Sequence, residues 1–199
     1  EKSRITVIII LSLASLLFWI TFSQGWSSLS IFSLQFVDRT IGGFTIPTAW
    51  ILSAESFFII FLTPLFLKIY KILQKKQMDP APQNKMAYGL FSAGLGFLLL
   101  YFISLIGVND KVNPMYVIIC YLMMAMGEIL LAPISLSLIT HLSPHKYTAK
   151  LVGLWYVCMG SAFYLGGILA GFSHDIGFKN LFLIFFFITF IPSLLLMFF

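Results

Sequence analysis

Six stretches of this chain are each about 20 residues or longer and apolar enough to cross a bilayer: about Ile5 to Ser28, Pro47 to Tyr70, Met86 to Ile106, Pro114 to His141, Tyr147 to Ser173 and Phe178 to Phe199. A helix needs ~20 residues to cross a ~30 Å hydrocarbon core. It is also the structure that satisfies its own backbone within one segment when no water is at hand. The expectation is an all-α membrane protein, with residues 1–199 forming one bundle of six transmembrane helices. A composition of 60% hydrophobic and 10% charged residues leaves no stretch from which to build a soluble domain.

The breaks between spans carry turn formers and charge, as at Asp38 to Gly43, Gln74 to Lys85, Gly107 to Asn113, Ser143 to Lys146 and His174 to Gly177. The net charge of +5 sits largely in these short connections, so it reports topology and gives no reason to expect a nucleic-acid partner. Nine basic residues, Lys2, Arg4, Lys68, Lys71, Lys75, Lys76, Lys85, Lys146 and Lys150, fall on one side; Arg39, Lys111 and Lys179 fall on the other. By the positive-inside rule the first side is cytoplasmic, and with it both ends of the segment. No Met precedes Glu1, so a piece of a longer protein is expected. The first apolar run is too long for a signal peptide and has no small-residue cleavage site.

The acids sort sharply. Glu1, Asp38, Asp79, Asp110 and Asp175 lie at the end or in connections, which leaves Glu55 and Glu128 inside apolar spans. A charge at a helix centre costs at least ~2.5 to 3.5 kcal/mol on insertion scales, so both are read as functional. By helical rise Glu55 lies about 12 Å and Glu128 about 21 Å from the outer ends of their helices, where both can face a central cavity. An apolar medium favours the neutral form of a carboxyl group, which makes either a candidate proton carrier.

Other residue types offer less chemistry. Cys120 and Cys158 have no metal-ligand or CxxC spacing, and neither a metal nor a cofactor is expected. His141 and His145 sit at a helix end and in a connection, about 20 Å or more from Glu128 by helical rise, so an intramembrane enzyme is disfavoured. Nucleophile elbows and phosphate loops are absent from the sequence. Pro64 and Pro133 lie inside spans and read as kink or gating positions. Trp19 and Trp155 sit within spans, away from the interface where tryptophan gathers, whereas Trp26 and Trp50 fit the outer interface. Small residues at four-residue spacing, Gly89 with Ala93, Ser92 with Gly96 and Gly167 with Gly171, read as sites of close helix packing. The Phe- and Leu-rich last span reads as lipid-facing.

Taken with these residues, the run Gly127-Glu128-Ile129-Leu130-Leu131-Ala132-Pro133, continuing to Ser143-Pro144, resembles a motif of the proton-dependent oligopeptide transporter (POT/PTR) family, the peptide-symporter branch of the major facilitator superfamily. Gly153-Leu154-Trp155 resembles the helix that follows. Phe18-Trp19 with Gln24 and Ser27-Ser28-Leu29 resembles the first helix of the family's C-terminal half, and Gly43 to Pro47 with Ser53 and Pro64-Leu65-Phe66 resembles the second. The resemblance implies the C-terminal six-helix half of a proton-coupled di- and tripeptide symporter in the cell membrane. Its partners would be short peptides, protons, the lipid bilayer and the N-terminal six-helix half.

By resemblance, Glu128 pairs with a peptide's amino terminus, and Trp19 and Trp155 shape side-chain pockets. Ser23 stands where many members have a glutamate of a Glu-Gln pair used in proton coupling. Glu55 stands where most have asparagine, and Ala132 where a serine is common. An acid moved from the first helix to the second is the implied explanation. An extra acid in the pocket could also favour cationic substrates. The alternatives are a proton-coupled carrier of amino-acid conjugates, nitrate or a drug-like cation, or a non-transporting receptor or scaffold on the same fold.

Overall fold

The computed structural model describes residues 2–106, 111–143 and 145–198, with the side chains of 2–8, Ile106, Leu142 and His145 excepted. Glu1, Asp110 and Pro144, and the side chains of Lys2, Arg4 and His145, thus lie outside the described residues. Seven helices form, in the order α1 (Lys2–Phe22), α2 (Ser28–Phe36), α3 (Thr48–Lys75), α4 (Pro82–Ile106), α5 (Pro114–Leu142), α6 (Thr148–Gly171) and α7 (Ser173–Phe198). They make six spans long and apolar enough to cross a membrane, because α1 and α2 share the first, which runs Ile9–Phe36.

That first span is not the continuous helix to Ser28 that its apolar run predicts. Helix α1 stops at Phe22, a 3-10 turn covers Ser23–Gly25, and α2 resumes at Ser28. Gly25 and the serines are weak helix formers, and neighbouring helices take up the freed backbone groups. Tyr121 of α5 donates to the Gly25 carbonyl at 2.6 Å. The Gln24 amide donates to the Gly166 carbonyl of α6 at 3.0 Å, and its oxygen accepts from Ser28 at 2.8 Å. Polar side chains commonly re-satisfy broken helices at membrane depth in this way.

Other boundaries shift for local reasons. Helix α3 continues five residues past Tyr70 through good helix formers to Lys75, and Gln77 then turns at φ 54°. Helix α4 begins earlier than expected, at Pro82, a proline at the start of a helix where its missing N–H costs nothing. In α7 the backbone of Gly177 is non-helical, so the regular helix begins near the expected Phe178. Between α2 and α3 a hairpin pairs β1 (Thr40–Ile41) with β2 (Phe44–Thr45). Gly42 and Gly43 supply the two positive φ angles of its turn.

Helix α4 packs against both α5 and α7. Backbones come close where glycine allows it. A Cβ on Gly89 would stand 2.8 Å from the Gly127 carbonyl oxygen, and one on Gly127 would stand 2.8 Å from that of Gly89. Ser92 adds a 2.9 Å hydrogen bond to the Met123 carbonyl. Helix α7 presents a buried stripe of Phe182, Phe185, Thr189, Ser193 and Leu196 to this core, and its other face is exposed. It is therefore lipid-facing on one side only. Pro64 and Pro133 lie inside continuous helices, and Pro192 lies in the regular part of α7 beyond Gly177.

Candidate functional site

Helix α3 has two buried residues, Ile51 and Glu55. They lie one turn apart on the face toward α5, and the rest of this long helix is exposed or half-buried. Glu55 is 3% exposed. Its Oε2 lies 3.8 Å from where a Cβ on Gly25 would stand, a point also 3.3 Å from the Tyr121 ring. The carboxyl group thus stands beside the break in the first span, within van der Waals reach of Gly25. Its Oε1 has no hydrogen-bond partner among the described residues.

Glu128 comes from α5 and is half-buried. Its Oε2 also lacks a hydrogen-bond partner among the described residues. The two carboxyl groups are near enough to interact by charge, and Glu55 is also near enough to act on Cys120 and Tyr121. Neither acid forms an ion pair with a described cation. Two acids are thus brought together in a mostly apolar bundle, one closed off and one partly open. That arrangement can hold protons and accept a cationic group from outside the chain.

Ser23 lies at the same break but turns away from Glu55. Its hydroxyl donates to the Ile20 carbonyl at 2.7 Å and lies where a Cβ on Gly166 would stand. A larger residue at 23 that kept this direction would meet α6 at Gly166. Tyr121 and Gln24 complete this part of the site, clamping the break to α5 and α6 respectively. Tyr121 was not singled out from sequence; the available signal was its position seven residues, two turns, before Glu128 on the same helix face.

Trp19 and Trp155 are brought into contact, edge to face, with ring centroids 6.3 Å apart. Phe163 meets Trp19 from α6 at 5.8 Å. The pair stands at one end of a mainly apolar cleft of about 320 Å³ between α1, α5 and α6, which Ser15, Leu151 and Met159 also line. Trp50 and Trp26 are exposed. His141 is exposed in the last turn of α5, 13 residues beyond Glu128, and does not join the acids.

Comparison with known proteins places the fold and the family. The chain is 32% identical over 174 residues to the peptide transporter YePEPT of Yersinia enterocolitica subsp. palearctica, which covers 86% of this chain and 33% of that protein. It is 28% identical over 176 residues to dipeptide and tripeptide permease B of Salmonella typhimurium, covering 86% of this chain and 35% of the permease. The chain therefore spans about a third of the length of these curated relatives. A crystal structure of a peptide transporter POT in complex with sulfate superposes on 99% of this chain and 40% of its own, with TM-score 0.92 and 27% identity. The fold is one six-helix half of a major facilitator transporter. Residues 1–185 match the family model described as PTR2, POT family, and the chain is a member of that family of multi-pass membrane proteins.

Proposed function

We propose that this chain is the C-terminal half of a proton-coupled di- and tripeptide symporter of the cell membrane, with both ends of the segment on the cytoplasmic side. The observation that carries the reading is the unequal enclosure of two neighbouring acids. Glu128 is half-buried and pairs with no described cation, which suits it to accept a peptide's ammonium group. Glu55 is sealed against the break in the first span without a counter-cation, which suits it to bind and release a proton. Trp19 and Trp155 wall the space for a side chain. The names of the relatives, a peptide transporter and a dipeptide and tripeptide permease, support peptides as the substrate class.

The N-terminal half would cover what this half leaves bare. Gly153, Gly160 and Gly167 recur every seven residues along one side of α6, and a Cβ on any of them would meet nothing within 4 Å. Two six-helix halves rocking about a midplane site would expose that site to each side in turn. Pro64 and Pro133 are positions where α3 and α5 can flex during that motion.

Uptake of labelled dialanine into proteoliposomes holding the full-length protein tests this. The expected result is accumulation that requires an inward proton gradient and is lost in Glu128→Gln. Equal uptake with and without the gradient would contradict it.

A further inference from the structure

The basic end of the bundle carries charge that transport leaves unused. Lys85 is held by Asp79 at 2.8 Å and lies 4.5 Å over the Tyr70 ring. Lys146 and Lys150 lie 5.8 and 5.9 Å from the centre of the Tyr147 ring. Lys68, Lys71, Lys75 and Lys76 differ from these. All four are exposed, and none pairs with a described carboxylate. Asp79, the one described acid at that end, is already engaged.

The length of α3 says where these four lysines stand. Its 28 residues span about 42 Å by helical rise, against a hydrocarbon core of ~30 Å and a whole bilayer of ~40–45 Å. Counted from Ile51, just inside the interfacial Trp50, about 20 residues cross the core, which brings the helix to the hydrocarbon edge near Tyr70. The last stretch of helix, Lys71 to Lys75, therefore lies in the headgroup layer, and Lys68 lies about 3 Å below it by helical rise, within snorkelling reach. Spacings of three and four put Lys68, Lys71 and Lys75 on one face, and Lys76 follows at the helix end. Exposed Leu67, Ile69 and Ile72 lie among them. Such alternation lets lysine stems lie along the acyl boundary while the ammonium groups reach outward. A water-borne acidic protein segment would not call for apolar side chains at that depth.

We propose that this end of α3 binds the anionic phospholipid headgroups of its own leaflet, with phosphates held by Lys68, Lys71, Lys75 and Lys76. Ile51 and Glu55 are the only buried residues of α3, so packing within this half holds the helix lightly. Headgroups bound at its end fix its depth and hence the depth of Glu55. The lipid surface does not depend on what the protein transports.

The test uses the full-length protein and native mass spectrometry, which counts the phosphatidylglycerol and phosphatidylcholine molecules it retains. The wild type is expected to keep phosphatidylglycerol preferentially, and K68Q/K71Q/K75Q/K76Q to lose that preference by about tenfold. K146Q/K150Q, which removes charge from the same end, is expected to keep it. Thermal unfolding in phosphatidylcholine nanodiscs is read alongside. If the quadruple variant does not fold, K68Q/K71Q and K75Q/K76Q carry the test, each with a several-fold loss expected. Unchanged phosphatidylglycerol retention in folded variants would overturn the proposal. So would an equal loss in K146Q/K150Q, which would reduce the effect to net charge. Loss of thermal stability without loss of lipid preference would assign the lysines to a protein partner and overturn it as well.

Discussion

Tyr121 on α5 donates a 2.6 Å hydrogen bond to the carbonyl oxygen of Gly25, at the point where the first span breaks. Glu55 of α3 lies beside the same glycine, its Oε2 3.8 Å from where a Cβ would stand. One bond therefore joins two spans next to the buried acid of a third. Tyr121→Phe keeps the ring and removes the donor, leaving a buried carbonyl unsatisfied. A loss of ~1–2 kcal/mol is expected, seen as a lower midpoint in thermal unfolding of the full-length protein. An unchanged midpoint would show that the break is held by other means.

An acid at position 23 is expected not to replace Glu55. The Ser23 hydroxyl already occupies the hollow at Gly166, so Ser23→Glu must displace α6 or bury a second charge. Introduced into Glu55→Gln, it is expected to lower stability and leave proton-driven uptake unrestored. Recovery of gradient-dependent uptake in the double variant would contradict the assignment of the proton to position 55.

The glycines divide into two groups with opposite expectations. Gly127→Ala would press a methyl group to within 2.8 Å of a backbone oxygen and 2.9 Å of the Phe18 ring. Overpacking of this kind costs ~1–3 kcal/mol, measurable as loss of folded protein after mild heating. Gly160→Leu meets open space within this half and should leave its fold intact, while slowing uptake by the full protein where two halves must approach. Normal uptake by Gly160→Leu would contradict the placement of the second half on that face.

How much of this could be read from residues alone follows from what each feature depends on. Span number and approximate limits were legible because bilayer thickness sets them, and Glu55 and Glu128 stood out because acids in apolar runs are rare. The break at Ser23–Gly25 was not legible, since it is stabilised by Tyr121 and by the bond from Gln24 to Gly166, partners far away in sequence. Close packing at Gly89, Ala93 and Gly96 matched their spacing. Gly167 and Gly171 have the same spacing, yet a Cβ on either would meet nothing within 4 Å. A small-residue pattern marks where a backbone can approach and does not say whose backbone it is.

Trp155 closes the cleft beside Trp19. Trp155→Ala removes a ring from that wall, and the expected outcome is a higher KM for peptides with large apolar side chains and little change for dialanine. Competition for labelled dialanine uptake by a series of unlabelled dipeptides measures it. Equal loss of competition by all of them would point to general unfolding.

The proposed division of work gives the proton to Glu55 and the peptide to the half-buried Glu128. The most direct measurement compares proton-driven uptake with peptide exchange at equal pH on both sides, in proteoliposomes of full-length Glu55→Gln and Glu128→Gln. Glu55→Gln is predicted to lose gradient-driven accumulation and keep exchange, while Glu128→Gln loses both. Undiminished proton-driven accumulation in Glu55→Gln would contradict the claim.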